Sequence, residues 1–285
     1  MPVRARRQGP RRGARVARPQ VTGIERIAEG FESARASGRR AALMPYLMGG
    51  FPDLETSRRI GIAYAASGAD LVELGVPFSD PLADGPVIHA AGTAALGAGA
   101  KLHDVLEVGR AIADHIPVIV MCYANPIIAR GLERFADELI DAGASGLIVP
   151  DLPLEEAPAA LGVCDERGLA LVPLVAPTTP QERLARIGTQ ARGFLYTVLL
   201  TGTTGERAGL QDGLAGVVAR AAASTSVPVA VGFGISTPEQ AAAAAAAGAD
   251  GVIVGSRLVR AAGEDEDPVA AVGDLVRAFS SGLTG

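Results

Sequence analysis

Three stretches of this chain repeat one grammar: Ser67-Gly68-Ala69-Asp70-Leu71-Val72-Glu73, Ala142-Gly143-Ala144-Ser145-Gly146-Leu147-Ile148 and Ala247-Gly248-Ala249-Asp250-Gly251-Val252-Ile253. Each ends a helical pattern at a glycine suited to a left-handed turn, reverses within about two residues and enters an apolar, β-branched run. Runs of that kind recur over 43–48, 70–75, 117–122, 146–150, 169–175, 193–199, 227–232 and 250–255. Helical patterns over 55–67, 131–142, 180–190 and 237–247 lie between them. Continuous apolar strands alternating with helices predict a parallel sheet covered on its outer face. Eight such units in about 260 residues predict a (β/α)8 TIM barrel preceded by an N-terminal helix. The competing layout, an open doubly wound sheet, puts its phosphate glycines after the first strand, and the glycines after Met48 belong to no GxGxxG.

Residues 1–18 carry seven arginines and no acid, whereas the whole chain is at −5. Such an arm could meet nucleic acid or a membrane, but the acidic body argues against nucleic acid as the main partner, and the plainer reading is an unstructured extension. The expected organisation is therefore a disordered basic extension over 1–20 and one barrel domain over 21–285. No run is long and uncharged enough to span a membrane. Cys122 and Cys164 show no pairing or CxxC spacing, and no signal peptide precedes them, so a cytoplasmic location is expected.

Composition removes whole reaction classes. Lys101 is the only lysine, and it lies outside every predicted strand. Schiff-base and pyridoxal-phosphate chemistry on this chain therefore lacks its amine. His89, His103 and His115 fall in helix or loop patterns without HxH or HExxH spacing, so no metal site is predicted.

In a barrel the chemistry sits where strands end at the C-terminal face. The connection after the second run is stiffened by Pro77, Pro81 and Pro86, and the one after the sixth, Thr201-Gly202-Thr203-Thr204-Gly205, has the composition of a lid. Glu73 interrupts a run otherwise fit for a buried strand. Burial raises a carboxyl's pKa toward neutrality and suits it to proton transfer, although a structural Glu paired with an arginine or with backbone amides would look the same. Asp84, in the proline-rich loop, reads as a turn former or helix cap, or as the second of two carboxylates dividing acid and base roles; Asp80 has the same plain reading. Gly234 in Gly232-Phe233-Gly234, and Gly255-Ser256, follow the seventh and eighth runs, where barrels bind phosphate through loop amides and a helix N-terminus, and Gly205 could add one more amide. Tyr46, Tyr123, Phe194 and Tyr196 line a flat apolar pocket or simply pack in the core.

The run Glu73-Leu74-Gly75-Val76-Pro77-Phe78-Ser79-Asp80-Pro81-Leu82-Ala83-Asp84-Gly85-Pro86 resembles the signature of the tryptophan synthase α chain family. The resemblance extends through Pro45-Tyr46-Leu47, Tyr123-Ala124-Asn125-Pro126, Pro150-Asp151-Leu152-Pro153, Thr203-Thr204-Gly205, Gly232-Phe233-Gly234 and Gly255-Ser256, over roughly 23–280. It implies reversible retro-aldol cleavage of indole-3-glycerol phosphate to indole and glyceraldehyde 3-phosphate, with no cofactor on this chain. Glu73 then matches the acid/base, and Asp84 the carboxylate at the indole N–H. Gly205, Gly234, Gly255 and Ser256 match the phosphate amides and Thr204 the lid threonine. Tyr46, Tyr123, Phe194 and Tyr196 match pocket aromatics. The resemblance also implies a pyridoxal-phosphate-dependent β chain as partner in an α2β2 assembly, with Asp80 on the communicating loop. Two departures stand out: Met48-Gly49, where many members have a pair such as Thr-Ala, and Leu199-Leu200, where some are polar.

Other readings keep the barrel. Indole-3-glycerol-phosphate synthase chemistry needs lysine and a pentose-phosphate epimerase needs a histidine-bound metal. A phosphate-binding barrel that only activates a β chain, or a stand-alone indole-3-glycerol-phosphate lyase, would share every motif above.

Overall fold

The computed structural model describes residues 21–198, 207–232 and 234–284. Its strands are β1 (Ala42–Met48), β2 (Val72–Gly75), β3 (Val118–Met121), β4 (Gly146–Ile148), β5 (Ala170–Leu171), β6 (Leu174–Val175), β7 (Leu195–Val198), β8 (Val229–Gly232) and β9 (Gly251–Val254). They pair in parallel in the order β5-β4-β3-β2-β1-β9-β8-β7-β6. The two ends of that order, β5 and β6, are the halves of the single strand expected over 169–175. Pro173 has no N–H to give a ladder, so the strand breaks there. Val172 N–H still donates to Leu147 at 2.9 Å, and Pro173 C=O accepts from Tyr196 N–H at 3.0 Å. The segment thus bridges β4 to β7 and closes the ring as a (β/α)8 barrel.

The repeated turns form as their glycines require: Gly68, Gly143 and Gly248 have φ of 100°, 73° and 97°, where a Cβ is disfavoured. The second strand starts at Val72 rather than Asp70 because the Asp70 side chain, ion-paired to Arg39, accepts the Leu43 N–H at 2.8 Å.

Alternation along the strands sorts the core into two shells. One face of each strand packs outward under the helices, as Val72, Leu74, Val118 and Val120 do. The other face fills the barrel with Met44, Leu71, Ile119, Ile148, Ala170, Phe194, Ala230 and Ile253. The helix Gly23–Ala36 is capped by Thr22 and Glu25 in a reciprocal pair and inserts Ile27, Phe31 and Ala34 into that interior. Those residues share one helical stripe and plug the end where strands begin, each large side chain contributing about 1.5–3 kcal/mol. The remaining opening is at the strand C-termini. Among the described residues no helix is long and apolar enough to cross a membrane.

Candidate active site

Leu71, Glu73 and Gly75 share the inward face of the second strand, and one pleat separates the packed Leu71 from the mouth of the barrel. Glu73 occupies that level at 2% exposure, beside Tyr46 of β1 and Ile119 of β3 in the ladder. No arginine among the described residues pairs with it, and its Oε2 accepts no hydrogen bond. Burial, reinforced by the charge of Asp84, raises its pKa from the ordinary 4.5 to about 8.

Asp84 precedes the helix Pro86–Gly97, whose cap is Gly85, so Asp84 is not spent on capping. Its Oδ1 accepts the Tyr123 hydroxyl at 2.8 Å, and that hydroxyl accepts the Ala83 N–H at 3.0 Å. Phe78 stacks on Tyr123 with ring centroids 5.2 Å apart. Burial raises the Asp84 pKa, while the Tyr123 hydrogen bond and His89 pull it back down.

The two carboxyls line one cavity of about 140 Å³. Its floor is Tyr46, Met121, Leu174, Tyr196 and Ile253; Ala83–Gly85 and Ile88 form one wall; Gly234–Ser236 and Gly255–Arg257 form the opposite rim. The two floor tyrosines fit because the neighbouring strands end in glycine. A Cβ on Gly75 would lie 1.9 Å from the Tyr46 hydroxyl, and one on Gly232 would lie 2.5 Å from that of Tyr196. At the rim, Gly234 has φ of 78°, and Gly255 caps the helix Ser256–Glu264, whose first amides have no carbonyl within the helix to bond. A negatively charged group is favoured there by those donors and by the helix dipole.

The structure therefore gathers Glu73, Asp84, Tyr46, Tyr196, Gly234, Gly255 and Ser256 around one space. Tyr123 stands behind Asp84 and holds it. Phe194 is not at the cavity: two residues before Tyr196 on the same inward face, it lies one layer deeper, fully buried, 5.9 Å from Phe31. The strand period that makes an inward aromatic visible in sequence does not give its depth. Asp80 is exposed in the loop after the second strand, bonded to the Ser79 hydroxyl at 2.5 Å. Gly205, Thr204 and the Leu199-Leu200 pair lie outside the described residues. Met48 packs with Tyr46, Ile88 and Val259 beneath the helix Pro86–Gly97, which places this departure in the cavity's supporting wall. Ile88, Met121, Leu174 and Arg257 also line the cavity; Gly85-Pro86 as a helix start and the Ile119/Met121 alternation are the sequence signals for the first two. No group of three or more His, Cys, Asp or Glu is placed to hold a metal among the described residues.

A family model described as "Tryptophan synthase alpha chain" matches residues 31–280. The tryptophan synthase alpha chain of Prochlorococcus marinus (strain MIT 9313) is 52% identical over 236 residues, covering 82% of this chain and 86% of its own length. That of Synechococcus elongatus is 49% identical over 253 residues, covering 88% and 94%. Among solved structures, a Mycobacterium tuberculosis tryptophan synthase superposes with a TM-score of 0.83 at 39% identity, covering 91% of this chain and 98% of the other. Tryptophan synthase subunit alpha from Legionella pneumophila str. Paris gives 0.82 at 38% identity, covering 90% and 98%. The barrel, the paired carboxyls and these relatives lead to one statement: the chain belongs to the tryptophan synthase alpha chain family.

Proposed function

We propose that Glu73 and Asp84 are the pair that carries out this family's half-reaction, the cleavage of indole-3-glycerol phosphate to indole and glyceraldehyde 3-phosphate. The chain is a lyase, the α subunit of tryptophan biosynthesis. It needs no cofactor of its own; pyridoxal phosphate belongs to the β chain with which it assembles as α2β2 and to which indole passes. The residue assignment rests on one observation above the rest: the buried Glu73 carboxyl, with an unpartnered Oε2, shares its cavity with Asp84.

With a pKa of about 8, Glu73 enters the reaction as the neutral acid at pH 7. It gives its proton to indole C3 while the Asp84 carboxylate takes the ring N–H, leaving an indolenine whose C2=N bond can receive an electron pair from C3. The Glu73 carboxylate then removes the proton of the adjacent glycerol hydroxyl. The bond between C3 and the glycerol carbon breaks, its electron pair returns to the ring as the N–H is restored, and the alkoxide becomes the aldehyde. Both carboxyls end as they began. The Gly234, Gly255 and Ser256 amides anchor the phosphate at the rim, and Gly205 and Thr204 are assigned to the lid. Tyr46 and Tyr196 bound the indole ring, with Tyr123 holding Asp84 and Asp80 on the side facing the partner. We take the chain as cytoplasmic, with residues 21–285 as one domain.

The test is indole release from indole-3-glycerol phosphate by the purified chain, with and without a β chain, for wild type and Glu73→Gln. Cleavage accelerated by β and lost in the variant supports the assignment. Loss of cleavage with surviving β activation in the wild type would leave a non-catalytic activator, and cleavage with no response to β would leave a stand-alone lyase.

A further inference from the structure

The reaction cavity has a neighbour. A second cavity, of about 100 Å³, lies between the barrel wall and the helices Ala157–Glu166 and Gln181–Gln190, at the place where Pro173 interrupts the strand. Leu152, Leu154, Leu161 and Ile187 line it, and among the described residues Gln190 is the only polar side chain in its lining and no charged one is part of it. Pro150 and Leu174 belong to both cavities and form the wall between them. Leu174 follows the proline directly, so the shared wall stands where the ladder hydrogen bonds change partner strand.

The lining decides what such a space accepts. Water needs two to four polar partners to stay, and apolar cavities of about 150 Å³ remain dry and take molecules such as benzene. A phosphate or carboxylate would be desolvated here with no charged side chain and only the Gln190 amide to meet it, which disfavours the phosphorylated substrate and the triose phosphate. Indole is neutral, flat and apolar, with one N–H that the Gln190 side can satisfy, and it is released on the other side of the Pro150–Leu174 wall.

We propose that this side pocket is a second, non-catalytic site for a neutral aromatic molecule of indole's class. The proposal rests on the reading that the reaction cavity produces indole. It is tested by titrating indole into the full chain while following Leu and Ile methyl resonances by NMR. Leu161→Phe and Ala157→Leu fill the side pocket, and Glu73→Gln alters only the reaction cavity. The Leu161 and Ile187 methyls are expected to shift in wild type and in Glu73→Gln, with apparent affinity weakened by about tenfold or more in both filled variants. Indole release should be unchanged in the filled variants. Methyls that stay still while indole saturates the reaction cavity would overturn the proposal, as would shifts that survive unaltered in both filled variants. If Leu161→Phe fails to fold, the wild-type titration and Ala157→Leu decide the matter. The titration requires no turnover, so a chain that binds indole here without cleaving substrate would sink the assigned reaction and spare the pocket, and the converse result would do the opposite.

Discussion

The Tyr123 hydroxyl donates to Asp84 Oδ1 at 2.8 Å while accepting the Ala83 N–H at 3.0 Å, so one phenol fixes both the carboxylate and the loop that carries it. A hydrogen bond to a charged group contributes about 1.5–3 kcal/mol. Tyr123→Phe is expected to lower kcat/KM about tenfold or more and to move the acid limb of its pH profile upward, because this hydrogen bond holds the Asp84 pKa down. A lowered rate with an unmoved acid limb would show that Tyr123 only packs.

Loss of a positioned acid/base costs about 10²–10⁴ in rate. Glu73→Gln should lose at least that much kcat, and Asp84→Asn a comparable or somewhat smaller factor, with substrate affinity largely retained. Single-turnover assays separate the two quantities. A large rise in KM with kcat intact would assign these carboxyls to binding.

The pKa of Glu73 gives a stability signature. Folding raises it from 4.5 to about 8, so the native state holds the proton more tightly than the unfolded chain across that window. The stabilisation is complete below about 4.5, falls as pH rises and is gone above about 8. Denaturant titrations from pH 5 to 9 should show wild type losing stability relative to Glu73→Gln, and kcat/KM should fall through an alkaline limb near 8. Parallel stability curves for the two proteins would remove desolvation as the source of the shift.

Gly234 adopts φ of 78°, where an L side chain costs about 1–2 kcal/mol. Gly234→Ala is expected to tilt the amide at the cavity rim and raise KM for the phosphorylated substrate several-fold more than it lowers kcat. Equal affinities for phosphate-bearing ligands in both proteins would argue that this turn does not touch the phosphate.

Ile128 is 74% exposed on the helix Ala124–Arg130, directly after Tyr123 at the strand C-terminal end. An apolar side chain there suits a protein partner over the barrel mouth. Ile128→Asp should weaken activation by a β chain at least about tenfold, a change of about 1.4 kcal/mol, and leave the isolated chain's rate unchanged. Undiminished activation would place the interface elsewhere.

Much of this was legible in the residues because it depends on local rules. The turn glycines at 68, 143 and 248 marked where helices hand over to strands, and Glu73 declared itself as the one charge within the apolar stretch 71–76. The side chains that complete the cavity were not, because they require the ring to close. Ile88 reaches the site from a helix hidden in the long second connection, and Leu174 belongs to a strand whose division needed Pro173 to be seen against both neighbours. Phe194 and Tyr196 are indistinguishable by period, and only the plug formed by Phe31 separates core from pocket.

β1 pairs with β2 on one side and with β9 on the other, so its second edge waits for the last of the described strands to be made. During synthesis the row Ala42-Leu43-Met44-Pro45-Tyr46-Leu47-Met48 emerges early and stands open while most of the barrel is translated. The donors on that open edge come from alternate residues beginning with Ala42, whose N–H finds the Asp250 carbonyl at 2.8 Å only in the finished ladder. A change that slows the arrival of β9 prolongs the exposure of this template to other strands, and its first failure would be in the yield of folded protein rather than in the enzyme that survives.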